Sequence, residues 1–108
     1  MRISVGNDIV YIPRVKELVQ SGALPRILQP SEIVRSTDEH IAGLIALKEA
    51  AIKALGLSAD DWLSIRIKRQ GDKPYIDLMG NDDGIQSIDC SVSHDKDYAF
   101  AVVTVLYR

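Results

Sequence analysis

Apolar and polar positions change period twice along this chain. Residues 2–10 predict a strand, with Ile3, Val5, Ile9 and Val10 as its apolar positions and Gly6 placed to form a bulge. Pro13 suits the first turn of a helix, and Val15, Leu18 and Val19 then recur at helical spacing until Ser21-Gly22 ends the element. A second, short helix is expected from near Pro30, with Ile33 and Val34 turned inward. Ser36 followed by Glu39 makes a capping-box pattern that opens a long helix. Ile41, Leu44, Ile45, Leu47, Ile52 and Leu55 line that helix, and Gly56 suits the position just past its end. So wide an apolar arc predicts burial along most of its length.

Beyond Trp62 the period becomes alternating. Ile65 and Ile67 lead into the polar turn Gln70-Gly71-Asp72-Lys73 and on to Tyr75, Ile76 and Leu78, which predicts a β-hairpin. Asn81-Asp82-Asp83-Gly84 reads as a second turn, Ile88-Asp89-Cys90-Ser91-Val92 as a strand, and Tyr98 to Tyr107 as a long final strand. Helices and strands are segregated. The expected fold class is α+β, a mostly antiparallel sheet with one long helix packed on it, forming a single domain over residues 1–108.

Composition narrows the function classes. Apolar residues make up 46% and charged residues 26% of the 108 positions, as in ordinary globular proteins. No apolar run approaches the ~20 residues that cross a membrane, and Asp8 interrupts an N-terminus that lacks a signal-peptide cleavage pattern. The lone Cys90 has no internal disulfide partner and lies where a buried thiol is expected, so a cytoplasmic location is expected. A net charge of −2 without a basic stripe argues against a nucleic-acid partner. Arg2, Arg14, Lys16, Arg26 and Arg35 concentrate positive charge in the first third, balanced mainly by Glu17 and Glu32, a bias suited to an acidic partner.

The chemistry concentrates in Lys48-Glu49-Ala50-Ala51-Ile52-Lys53-Ala54-Leu55-Gly56. Glu49 and Lys53 are four residues apart and share one helix face, whereas Lys48 points elsewhere. Such a pair is either an exposed ion pair worth about 0.3–0.5 kcal/mol or a carboxylate and an ammonium that hold a metal and a phosphate. Asp8, flanked by Ile9 and Val10, is either a solvated edge-strand carboxylate or a ligand for Mg²⁺, which is commonly held by one or two carboxylates plus phosphates and waters. No Cys–His or Ser–His–Asp arrangement is evident.

Three segments in order, Gly6-Asn7-Asp8-Ile9-Val10-Tyr11-Ile12-Pro13-Arg14, Lys48 to Gly56, and Ser93-His94-Asp95-Lys96-Asp97-Tyr98-Ala99, resemble motifs of the 4′-phosphopantetheinyl transferase superfamily. The likeness is to its small branch, the holo-acyl-carrier-protein synthases, and spans nearly the whole chain. The resemblance implies that Asp8 and Glu49 bind Mg²⁺ and that the diphosphate of coenzyme A sits at this metal. Lys53 then neutralises a phosphate oxygen, and Lys48 either helps from the flank or is a surface charge. A serine hydroxyl of an acyl carrier protein attacks the phosphate attached to pantetheine, and adenosine 3′,5′-bisphosphate leaves. This chemistry rests on positioning and charge neutralisation, with Glu49 or a water on the metal taking the serine proton. Ser93 and His94 are implied contacts to coenzyme A, Asp95 is an alternative base, and Arg14 is an implied contact to the carrier protein. The resemblance also implies a homotrimer with sites between protomers and a place in fatty acid biosynthesis, within lipid metabolism. His40 has no such context and is expected to be a solvated residue of the long helix's first turn.

The chain also departs from the family. Where many relatives carry an arginine that grips the nucleotide's 3′-phosphate, it has Leu44, and Leu57-Ser58-Ala59-Asp60-Asp61 shortens the loop that follows the long helix. Two alternatives follow, a degenerate relative that binds carrier protein or nucleotide without turnover, and a structural oligomerisation domain.

Overall fold

A hairpin of long strands, with a first strand added at its edge, forms the platform for the long helix. The computed structural model describes residues 1–34, 36–80 and 84–108, so Arg35 and all but Gly84 of the expected turn at 81–84 lie outside the described residues. In chain order the elements are β1 (Arg2–Tyr11), α1 (Arg14–Ser21), a 3-10 turn (Leu24–Arg26), α2 (Pro30–Ile33) and α3 (Asp38–Leu55). A second 3-10 segment (Ala59–Ser64) leads to β2 (Ile65–Gln70), β3 (Lys73–Leu78), β4 (Ile85–Asp95) and β5 (Tyr98–Tyr107). The α+β class with antiparallel pairing and one long helix holds, but the strands form two sheets rather than one, β1-β5-β4 and β2-β3. Lys73 and Pro74 of β3 bridge them: Lys73 Nζ donates to the Cys90 carbonyl at 3.2 Å, and the buried Cys90 thiol donates to the Pro74 carbonyl at 3.4 Å.

Strand alternation sorts the three-stranded sheet into two faces. Ser4, Gly6 and Asp8 of β1 lie opposite Val105, Val103 and Ala101 of β5 on the face toward α3. The helix meets them with small residues of its own, Ala46, Ala50, Ala51 and Ala54, all buried. Small side chains on both surfaces let the backbones approach closely. Gly6 is the extreme case: a Cβ there would collide with the Ala50 carbonyl and come within 2.7 Å of the Ala54 nitrogen. The β1–β5 register runs unbroken through Gly6, so this residue is a close-approach point and not the bulge its sequence position suggested. Gly6→Ala is expected to destabilise the fold by about 1–3 kcal/mol, the range for overpacking a tight core, and to push Asp8 away from α3. A denaturation midpoint equal to that of the unsubstituted chain would contradict this reading.

Two local expectations change. Thr37, not Ser36, caps α3, its hydroxyl accepting the His40 N–H at 3.1 Å. Around α2, Ile33 packs against the core as expected, but Val34, just past the helix, is exposed, and Glu32 is buried because it meets the partners described below. The remaining ends match, with Gly22 and Gly56 stopping α1 and α3 at φ of 74° and 67°.

The sheet's other face is uncovered and apolar across β1 and β5. Ile3, Val5 and Ile9 are 73%, 63% and 62% exposed, and Phe100 lies beside Ile9 in register. The Tyr11 and Tyr98 rings extend this surface, 5.4 Å apart.

Candidate active site

Close packing of β1 on α3 brings Asp8, Glu49 and Lys53 together. Lys53 Nζ lies 3.3 Å from Asp8 Oδ1 and donates to the Asn7 carbonyl at 3.0 Å. Its side chain is 56% exposed while that of Asp8 is only 10% exposed, so the pair has one wet side and one dry side. Asp8 Oδ2 is buried with no hydrogen-bond partner among the described residues. The Glu49 carboxyl lies within hydrogen-bonding reach of Asp8. Burial first, then the hydrogen bond and like charge of Asp8, push the Glu49 pKa up to about 7, with Lys53 opposing.

A raised Glu49 pKa beside Asp8 in a half-buried notch makes stability depend on pH. The folded chain keeps the Glu49 proton up to about 7, whereas the unfolded chain releases it near 4.5. Across that window the folded state binds more protons, so stability is highest below it and falls as pH rises, levelling off above about 7. Chemical denaturation without divalent cations should show this fall, and Glu49→Gln should abolish it; a slope unchanged in Glu49→Gln would assign the effect to another group.

Lys48 does not join this cluster. It is fully buried on another face of α3, where Nζ pairs with Glu32 Oε1 at 2.8 Å and donates to the Ile27 and Trp62 carbonyls at 2.9 and 3.3 Å. Glu32 in turn accepts the Gln29 and Ile67 N–H groups at 2.6 and 2.8 Å. The expectation that Lys48 binds coenzyme A is therefore corrected: all three ammonium protons have buried acceptors, and it is neither a surface charge nor a flank to the phosphates. A sequence signal existed, since Lys48 is four residues after Leu44 on an apolar stripe.

Ser93 and His94 also part company. They are consecutive in β4, so they face opposite sides of the sheet. His94 turns toward the start of α3, with Nε2 3.3 Å from the Glu39 carbonyl and Nδ1 3.9 Å from the Glu39 carboxylate. Ser93 is exposed on the outer face, in register with Phe100. The two-residue period alone separates them. Glu39 and Glu49 stand ten positions apart on α3, about 15 Å along its axis, so His94 is remote from its own chain's acid pair. Asp95 lies on the Ser93 side, in register with Tyr98, and does not contact His94 in the manner an orienting group requires.

Arg14 begins α1 and is exposed at the rim of a groove of about 390 Å³ that Ile9, Val10, Leu18 and Ile45 line and that reaches Glu49. At the other end of α3, His40 is half-buried instead of solvated. Burial, then the positive charge of Arg69 and of His94, hold its pKa below the usual histidine value. Leu44 is buried beside it.

Residues 4–103 match the family model of the 4′-phosphopantetheinyl transferase superfamily, and the chain belongs to that superfamily. Within it the likeness is to the holo-[acyl-carrier-protein] synthases. The Helicobacter pylori strain G27 protein of that name is 43% identical, over 94% of this chain and 95% of its own length. That of Nautilia profundicola is 39% identical, over 94% and 98%. The crystal structure of Helicobacter pylori holo-[acyl-carrier-protein] synthase in complex with coenzyme A superposes with a TM-score of 0.83 at 37% identity, covering 94% of this chain and 99% of that one.

Proposed function

We propose that this chain is a holo-[acyl-carrier-protein] synthase, moving 4′-phosphopantetheine from coenzyme A to a serine of an acyl carrier protein and releasing adenosine 3′,5′-bisphosphate. The observation that carries this reading is the notch of Asp8, Glu49 and Lys53, in which a buried carboxylate oxygen lacks a partner. Native proteins seldom leave such an oxygen unsatisfied. Mg²⁺ fits the donor set, two hard carboxylates open on one side to further oxygens, and Asp8 and Glu49 are the residues that would hold it. Bound there, it would supply charge neutralisation to the diphosphate of coenzyme A.

The chain's own groups perform the rest. Lys53, anchored by Asp8 and the Asn7 carbonyl yet half exposed, presents its remaining N–H to a phosphate oxygen. Glu49, once it has released its own proton, is placed to accept that of the attacking serine, and a pKa near 7 suits a base working near neutrality. The groove from Arg14 to Glu49 gives the carrier protein a route to this base: Arg14 meets acidic groups at the rim while the serine enters. A homotrimer accounts for the apolar outer face of β1 and β5, and for His94, which its own α3 holds away from the acid pair. Among the described residues no helix is long and apolar enough to cross a membrane. A cytoplasmic enzyme loading carrier protein for fatty acid biosynthesis is the setting we propose.

Incubation with coenzyme A, Mg²⁺ and an apo carrier protein, read by intact mass, tests the reading. Addition of one phosphopantetheine to the carrier supports it, and carrier binding without a mass gain would instead favour a non-catalytic relative. Arg14→Glu is expected to raise the KM for carrier protein about tenfold, ~1.4 kcal/mol, and to blunt its salt dependence, while coenzyme A binding stays the same. An unchanged carrier KM at low salt would remove Arg14 from the docking surface.

A further inference from the structure

Helix α1 turns only part of its charge toward the groove that reaches Glu49. Arg14, Glu17, Leu18 and Ser21 are the α1 residues that line it, and they fall within one arc of about 100° around the helix. Lys16 stands about 160° from Arg14, on the opposite side. The basic bias of the first third of the sequence is therefore not what the groove presents. One cation and one anion share its α1 wall, and a second acid, Glu49, faces them from α3. Arg14 and Glu17 are exposed and three positions apart, yet neither belongs to an ion pair among the described residues. The Ser21 hydroxyl is turned back on its own helix, donating to the Leu18 carbonyl at 3.0 Å. A carboxylate in the first turn of α1 favours the helix dipole from any side, and Glu17 does so from the side that lines the groove.

We infer that Glu17 is a specificity-determining residue for the carrier protein. It selects a carrier surface that brings an acidic group to Arg14 and a lysine or arginine to Glu17, about 5 Å further along the α1 wall. This rests on the proposed transferase reading, in which the modified serine enters this groove. A carrier that is acidic throughout its contact surface gains at Arg14 and loses at Glu17 by like-charge repulsion. A carrier with a base at the second point gains at both. Because both charges are exposed at the rim, the selection acts mainly on encounter and is screened by salt.

One apo acyl carrier protein tests this, together with variants in which each acidic residue near the modified serine is replaced in turn by lysine. Transfer is followed by intact mass. With the unsubstituted enzyme, one lysine variant should show a KM about two- to fivefold lower than the parent carrier, the worth of an exposed ion pair. In Glu17→Gln that gain should vanish, and in Glu17→Lys it should become a loss. Salt at about 0.5 M should flatten all of these differences. A residue that only stabilised α1 would lower the denaturation midpoint of Glu17→Gln without changing which carrier variant is preferred, and that result overturns the selection. So does a series in which no lysine variant improves on the parent carrier, or an improvement that survives Glu17→Gln; each leaves the transferase reading standing. Mass gain on no form of the carrier overturns both.

Discussion

Asp8→Asn and Glu49→Gln are each expected to slow phosphopantetheine transfer by about a thousandfold or more, with little loss of stability. The size follows from what the two carboxylates do in the proposed site. Each would be a ligand for a cation that, when bound, would stabilise phosphoryl-transfer charge by several kcal/mol, and each ~1.4 kcal/mol is tenfold in rate. Glu49→Gln also removes the proposed base. The fold should survive because both substitutions keep the side chain's shape: Asp8→Asn retains an oxygen for Lys53, Asp8 Oδ2 has no partner among the described residues, and burial and Asp8 already disfavour the Glu49 charge. In Glu49→Gln stability above pH 7 should rise, since the acid repulsion is gone. The checks are initial rates over a Mg²⁺ titration and denaturation midpoints. Rates at the unsubstituted level for both variants would remove the acid pair from the chemistry.

Removing either partner of the buried Lys48–Glu32 pair is expected to produce the largest loss of stability. Lys48→Met leaves Glu32 charged, buried and short of a cation, and Glu32→Ala strands Lys48 together with the Gln29 and Ile67 N–H groups. Breaking such a pair costs about 3–5 kcal/mol. In a chain of this size that should lower Tm by more than about 12 °C. The pair ties α2, the middle of α3 and β2 to one another, with the Ile27 and Trp62 carbonyls completing the ammonium's shell. Because Lys48 faces away from the acid pair, the KM for coenzyme A measured on folded Lys48→Met should stay within about twofold. A large rise in that KM with normal stability would return Lys48 to the nucleotide site.

The Lys48–Glu32 pair shows where sequence reading stops. Two charges sixteen residues apart, one in a four-residue helix, meet only because α2 lies against the middle of α3. Helical spacing from Leu44 offered a signal that position 48 faces inward, but the sequence reading left Lys48 as a flank contact or a surface charge, and spacing has no means of naming a partner. His40 and Arg69 are a similar case, on a helix and a strand that no local pattern links.

What the sequence determined by itself was local and periodic. It determined the long helix with its glycine stop and the hairpin at Gly71. It determined the shared face of Glu49 and Lys53, and the ordered motifs that marked Asp8, Glu49 and His94 as one family's residues. These rest on interactions within a few residues, where the helical and strand periods dictate which side chains are neighbours. Tertiary structure decided the rest. It chose a close approach at Gly6 over a bulge, and it divided the strands into two sheets. It also buried Lys48 against Glu32, and it held His94 about 15 Å along α3 from the acids it was grouped with. Each of these depends on which distant surfaces meet and how closely. That is settled by the small residues of β1 and α3 and by the cost of burying a charge without its counter-charge, neither of which has a period along the chain.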